Sequence, residues 1–218
     1  MEETSRTTAA YDACAAVFAQ RWFDFRLEEQ VGRFAACLRA GARVLDVGCG
    51  VGRDVGHFRE LGFDVCGVDC SGGMLAEARR RVGTLFVRAD MRHLPFADGS
   101  FDGLWVCASL MHLPRADAPA VLEECRRALG HGYVFVALKG GQGERWVTGA
   151  EGGGDYFLAY YHPAEVELLV ERAGFGVVEG WENPPGPGQA ESWINVIGLT
   201  RADTDSHGLH GCTRMDTG

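Results

Sequence analysis

No stretch of the chain approaches the roughly 18 consecutive apolar residues of a membrane-crossing helix, so no membrane span is expected. Positive charge is in the minority, with 21 Lys and Arg against 30 Asp and Glu and a formal net charge of −9. A broad phosphate-binding surface needs clustered basic residues, so no nucleic-acid partner is expected. The runs Arg79-Arg80-Arg81 and Arg126-Arg127 fall in helical patterns and read as solvated helix faces. The eight cysteines include no C-x-x-C pair, which excludes a zinc ribbon and a thioredoxin-type motif. They read as free thiols of a reducing, cytoplasmic environment. The opening MEETSRTTAA has no basic stretch followed by an apolar run and does not read as a secretory leader. No internal repeat is visible. The last segment, 202–218, has no periodicity and is expected to be a disordered tail. His207, His210 and Cys212 within it are not read as a metal site, and no metal is expected anywhere.

What is present is a regular alternation of short apolar runs with helical periodicity. Strands are expected at 43–48, 63–69, 84–90, 101–109 and 132–139. Between them lie helical patterns. Val55 and Phe58 share a face ahead of a stop at Gly62. Ser71 is placed to cap a helix whose stripe is Met74, Leu75, Ala78 and Val82. Residues 117–130 form a further helix, with Glu123 and Arg127 one turn apart and Gly130 at its end. One or two helices, near 8–20 and 27–39, precede the first strand. Residues 140–162 are glycine-rich and irregular. Pro163 opens a helix with Val166, Leu169, Val170 and Ala173 inward and Gly174 as its stop. The final strands, 175–181 and 192–200, have no helix between them. That connection is too short for a parallel crossover, so the pair must be antiparallel. Alternating strands and helices imply a parallel sheet covered on both faces. A ligand would then sit at the carboxyl ends of the strands, near the switch point.

Residues 44–54, VLDVGCGVGRD, occupy that place. A glycine-rich turn from strand to helix lets a ligand approach the backbone. Asp69, ending the second strand, is placed to accept from ribose hydroxyls. Both features fit a dinucleotide or another nucleoside cofactor. Two details separate these. The dinucleotide pattern G-x-G-x-x-G requires a small residue where Arg53 stands. Asp46, just ahead of the turn, would repel a pyrophosphate and would suit an amine. An amino-acid end joined to an adenosine end describes S-adenosylmethionine.

VLDVGCGVGRD resembles the first motif of the class I S-adenosylmethionine-dependent methyltransferases. VCGVDCSGGMLAEAR resembles the segment that carries their ribose-binding acid. ADMRHLPFADGSFDGLWVCASLMHL resembles their adenine-binding acid and fourth strand, and the closing antiparallel pair is the family's departure from the dehydrogenase sheet. The resemblance covers roughly 8–200. It implies a doubly wound α/β fold with a seven-stranded, mostly parallel sheet in the order 3-2-1-4-5-7-6, the last strand antiparallel, in one domain over 1–201. It implies that Asp46, Gly48, Gly50 and Arg53 line the methionine portion and that Asp69 holds the ribose. Cys70 and Met74 would pack beside the adenine. Asp90 would accept from the adenine amine, with the Met91 N–H nearby. Ser109 would line the methionine portion, and Tyr11 would close over the cofactor.

Methyl transfer from a sulfonium needs chiefly an aligned nucleophile, with a base where the acceptor is a hydroxyl or a protonated amine. His112, after the fourth strand, is the candidate base. Trp146, Tyr156, Phe157, Tyr160 and Tyr161 are candidates for a lid around an apolar or aromatic acceptor, with Trp146, Tyr156 and Tyr160 as substrate-binding residues. Glu144, Arg145 and His162 are weaker candidates for polar contacts. NPPG at 183–186 is similar to the Asn/Asp-Pro-Pro-aromatic motif of amide-directed methyltransferases. It lies between the last two strands and ends in Gly, so it reads as a hairpin loop. The expected acceptor is a small molecule, and the expected assembly a monomer or homodimer. The alternatives are a non-catalytic module that binds the same cofactor and, less favoured, a nicotinamide-dependent oxidoreductase.

Overall fold

A computed structural model describes residues 2–83, 85–149, 151–186 and 190–201. The expected tail at 202–218 lies outside the described residues. Two helices, α1 (Glu2–Trp22) and α2 (Glu28–Ala36), lead into alternating strands and helices. These are β1 (Arg43–Val47), α3 (Arg53–Glu60), β2 (Asp64–Asp69), α4 (Gly72–Val82), β3 (Phe86–Arg88), β4 (Gly103–Cys107), α5 (Ala118–Leu129) and β5 (Tyr133–Lys139). A hairpin, β6 (Glu144–Thr148) and β7 (Asp155–Ala159), follows, then α6 (Pro163–Arg172), β8 (Phe175–Asn183) and β9 (Trp193–Thr200). The main sheet has seven strands in the order β3-β2-β1-β4-β5-β9-β8. β9 runs antiparallel to both of its neighbours. This is the expected sheet, with the last two strands renumbered by the intervening hairpin.

The strands of the centre are apolar on both sides because helices cover both faces. On one face Phe34 of α2 and Phe58 of α3 close over Trp105 and Phe135, whose rings stack at 4.0 Å between adjacent strands. On the other, Val121, Leu122 and Cys125 of α5 and Val166 and Val170 of α6 pack on Leu104, Val106 and Val136. Each of these large side chains contributes on the order of 1.5–3 kcal/mol by leaving water. The two packed faces hold the carboxyl ends of β1, β2 and β4 side by side.

Three expectations need correction. Residues 140–162 are not irregular. The runs ERWVT and DYFLA pair antiparallel as β6 and β7, with the glycines before β6, at 140–143, and in the turn, at 149–154. The first helix begins at Glu2, six residues earlier than its apolar pattern, because its threonines face a cleft and the 144–159 hairpin rather than solvent. Arg127 pairs with Glu124 and Asp98, at 2.8 and 2.7 Å, rather than with Glu123. Its guanidinium also donates to the carbonyls of Leu94 and Phe96 in the turn before β4.

Candidate active site

The turn after β1 is pinned to β2, since the N–H groups of Gly48 and Cys49 both donate to the Val68 carbonyl, at 2.7 and 3.0 Å. Gly48 has φ 78°, and a Cβ there would stand 2.2 Å from Ser109 Cβ. Only glycine fits both the dihedral and the space. Ser109 in turn donates to the Val47 carbonyl at 2.6 Å, tying the end of β4 to the end of β1.

Asp69 joins the loop to the next helix. Its carboxylate accepts from Gly50 N at 2.9 Å and from Ser71 N at 2.8 Å. Burial raises its pKa, and the two amides offset this in part. Ser71 caps α4 as expected, accepting from Met74 N at 3.0 Å. Asp12 of α1 accepts from Ser71 and from Gly73 N, so α1 is fixed across the start of α4.

Asp46 is 2% exposed. Burial and the neighbouring Asp54 push its pKa well above the usual carboxylate range, against the pull of Arg53. Among the described residues no hydrogen bond reaches its carboxylate. A buried acid without a donor is costly, and its oxygens are matched by a ligand that brings an ammonium. Arg53 is committed elsewhere. Its Nε and Nη2 donate to Asp54 at 2.7 and 2.8 Å, and Asp54 also accepts from Trp105 Nε1 at 2.9 Å. Asp46 and Arg53 therefore lie beneath the cleft wall, Arg53 turned to Asp54.

The wall itself brings together Tyr11, Gly48, Gly50, Asp69, Cys70, Met74, Asp90, Met91, Ser109 and His112 around a cleft of about 140 Å³. All ten were candidates from sequence. Asp90 is gripped by Arg92, with contacts from 2.6 to 3.2 Å. Burial alone would raise the Asp90 pKa; the Arg92 guanidinium holds it below the usual value. Ala108, also on the wall, has φ 55°, a strained conformation at the end of β4.

At the far end stand Tyr11 and His112. His112 Nδ1 lies 2.9 Å from the Phe157 carbonyl, and Nε2 lies 3.0 Å from Tyr11 Oη. A carbonyl only accepts, so Nδ1 carries the hydrogen. In the neutral ring Nε2 is then the acceptor and Tyr11 O–H the donor. Burial pushes the His112 pKa down to about 4; the Phe157 carbonyl opposes this and Lys139 adds to it. Tyr156 stacks on Tyr11 at 5.7 Å and meets His112 edge to face at 5.6 Å.

Trp146 and Tyr160 lie away from the wall. Arg6 sits 3.9 Å over the Trp146 ring, and Arg145 sits 4.0 Å over that of the buried Tyr160. Tyr161 is buried in the same way, beneath Arg115. These aromatics brace the hairpin. The sequence reading missed Thr4, Thr7, Thr8 and Phe18, which complete the cleft from α1. Their spacing with Tyr11 follows one helix face, a signal hidden by the absence of apolar residues at its start. Asp12 and Arg92, which hold the wall from behind, carried no sequence signal.

The residues present fit S-adenosylmethionine. Asp46 is an unpartnered acid for its ammonium, Asp69 has free acceptor positions for a ribose, and a slot at Gly48 admits no side chain. A family model described as a methyltransferase domain matches residues 44–132. "Methyltransferase GfsG" of Streptomyces halstedii is 42% identical over 154 residues, covering 64% of this chain and 55% of that protein. "Putative methyltransferase ECU09_1500" of Encephalitozoon cuniculi is 33% identical over 154 residues, covering 62% of this chain and 71% of that protein. The chain spans about half the length of the first two curated relatives it matches, 55% and 42%. Among solved structures, the 1,6-didemethyltoxoflavin-N1-methyltransferase of Burkholderia thailandensis superposes with a TM-score of 0.74 at 21% identity, over 92% of this chain and 90% of that one. At that identity the likeness speaks to the fold alone. Taken with the sequence relatives, it means that the chain belongs to the class I S-adenosylmethionine-dependent methyltransferases, the family whose cofactor is S-adenosylmethionine.

Proposed function

We propose that this chain transfers a methyl group from S-adenosylmethionine to a small-molecule acceptor that meets the cleft at Tyr11 and His112. The observation that carries this reading is one cleft whose glycine wall covers a donor-free buried acid, Asp46, and whose lining includes a neutral His112–Tyr11 pair. Asp46 would hold the ammonium of the cofactor. Asp69, already fixed by two backbone amides, would accept from the ribose hydroxyls. Val68, Cys70, Met74 and Ala89 offer an apolar slot for the adenine, with Asp90 at its edge. When bound, the cofactor supplies an electrophilic methyl. The residues around it align the acceptor and exclude water. His112 takes the acceptor's proton. Tyr156, behind Tyr11, supports the acceptor end, while Trp146 and Tyr160 serve the hairpin. The wall suits a small acceptor because α1 and the hairpin roof it on one side.

Calorimetric titration with S-adenosylmethionine, S-adenosylhomocysteine and NADH tests the reading, on the wild type and on Asp69→Asn. Binding of the first two, weakened in the variant, is expected. Selective binding of NADH would overturn it.

A further inference from the structure

We propose that the acceptor is a neutral molecule bearing a hydroxyl, and that Tyr11 receives its proton and relays it to His112. This rests on the methyl-transfer reading and narrows it. His112 does not present a free nitrogen to the cleft. Nδ1–H is spent on the Phe157 carbonyl and Nε2 on the Tyr11 hydroxyl. The group left to meet an acceptor is Tyr11 Oη, which has lone pairs to spare after donating to His112. Its ring is held by the stack on Tyr156 and by edge contacts with His112 and Phe18.

The step balances. The acceptor O–H donates to Tyr11 Oη. The acceptor oxygen forms its bond to the methyl carbon as the carbon–sulfur bond breaks, its electron pair remaining on sulfur. The acceptor proton passes to Tyr11 Oη, and the Tyr11 proton passes to His112 Nε2. A phenol and an imidazolium result, and the positive charge of the reactants is conserved.

The charges around the pair set the acceptor class. Lys139 faces it from β5, Glu151 from the hairpin turn, Cys14 from α1, Tyr156 from β7 and Asp69 from β2. Among the described residues the charged side chains on the cleft wall are Asp69 and Asp90. Arg92, which grips Asp90 on the wall, is consumed by Asp90, Asp117 and Thr4. Lys139 is paired with Glu191 and Glu151 with Arg21 and Trp22, and Asp69 is held by backbone amides, so among the described residues a charged acceptor meets no unpaired counter-ion beside Tyr11. The basicity of the pair agrees. An oxygen that has gained a methyl is strongly acidic and yields its proton to a base near 4. An alkylammonium, near the ordinary lysine value of about 10, is out of its reach by about six units.

The test uses the whole chain with ¹⁵N-labelled histidine. Calorimetry first establishes that S-adenosylhomocysteine binds; its failure to bind would overturn the methyl-transfer reading and this one with it. In the complex, the His112 imidazole should show the Nδ1–H tautomer and remain neutral at pH 7. Phenol, benzylammonium and benzoate are then titrated separately. Phenol should shift the Nε2 resonance, and the two charged probes should not. In Tyr11→Phe, at S-adenosylhomocysteine concentrations that calorimetry shows to be saturating for that variant, the phenol response should be lost while the Nδ1–H tautomer is kept. An Nε2–H tautomer, a stronger response to a charged probe than to phenol, or an undiminished phenol response in Tyr11→Phe would each overturn the proposal.

Discussion

Gly153 offers a steric test of how the cleft is roofed. It sits at the turn of the β6–β7 hairpin, where a Cβ would stand 2.1 Å from the Ala10 carbonyl oxygen and 2.9 Å from both Cβ and Sγ of Cys14. Its φ lies outside the left-handed region, so Gly153→Ala adds a clash without backbone strain. The obstructing atom is backbone of α1 and cannot swing aside, so the hairpin and α1 must part. Overpacking of this kind costs about 1–3 kcal/mol. The contacts at risk are Phe157 N to Thr7 Oγ1 at 3.0 Å, Trp22 Nε1 to Glu151 at 3.0 Å, and Arg6 over Trp146. If that energy is lost from the docking of α1, its amides should exchange about 5- to 150-fold faster, at roughly 1.4 kcal/mol per decade. Hydrogen exchange followed by mass spectrometry reads this directly, with denaturant unfolding as the global control. Unchanged protection in α1 would refute the claim that hairpin and helix close the cleft as one unit.

Three further outcomes follow from the buried charges. The folded protein raises the Asp46 pKa above its unfolded value of about 4, so the stability of the unliganded chain falls as pH rises from there through the raised value. Asp46→Asn should therefore raise the unliganded Tm at pH 7 while weakening S-adenosylmethionine binding; a lowered Tm would contradict the assignment. His112 behaves in the opposite sense. Its folded pKa of about 4 lies below the unfolded value near 6.5, so its contribution is complete above 6.5 and lost as pH falls towards 4. The loss is about 3 kcal/mol at 1.36 kcal/mol per unit, and His112→Gln should flatten urea-derived stability over that range. Asp54→Asn keeps an acceptor for Trp105 Nε1 but leaves Arg53 buried without its carboxylate, and should cost about 3–5 kcal/mol in denaturant unfolding.

Much of this architecture was legible because its causes are local. Each parallel strand is a short apolar run bounded by Gly or Asp, and the segment between the last two strands is too short for a crossover helix. Sheet order and the antiparallel ending follow. The ten wall residues were legible for a related reason. They sit at fixed offsets from strand ends, where sequence position and spatial position nearly coincide. Arg53 stands off the cleft wall because its partner is its own neighbour. From i to i+1 in a helix the two side chains diverge, yet here the guanidinium folds back onto Asp54 at 2.7 Å. The places of Trp146 and Tyr160 off the cleft wall were not legible, because aromatic content was counted without strand alternation. Paired as β6 and β7, the segment sends Trp146 and Phe157 together on one face and sets Tyr156 beside Tyr11. The threonines of α1 gave no signal, since polar residues on a helix read as solvent-facing until a cleft is known to lie beneath them.

The charge layout explains why this cleft would favour a cationic cofactor over a neutral or anionic one. Both guanidiniums near it are neutralised within the chain, Arg53 by Asp54 and Arg92 by Asp90 and Asp117. Asp46 and Asp69 remain, and burial raises the pKa of each. In the free protein these acids cost stability. A ligand carrying an ammonium at one end and a sulfonium in the middle restores the balance and lowers both pKa values, so its binding should release protons, and fewer of them as pH rises through the raised values. S-adenosylhomocysteine keeps the ammonium but lacks the sulfonium charge. The affinity ratio of the two ligands therefore isolates the electrostatic share contributed by the middle of the cleft. That ratio should narrow with salt only weakly, because the acids involved are buried and screening acts mainly on exposed charge. A ratio that collapses at high salt would place the attraction on the surface instead, and would remove Asp46 and Asp69 as its source.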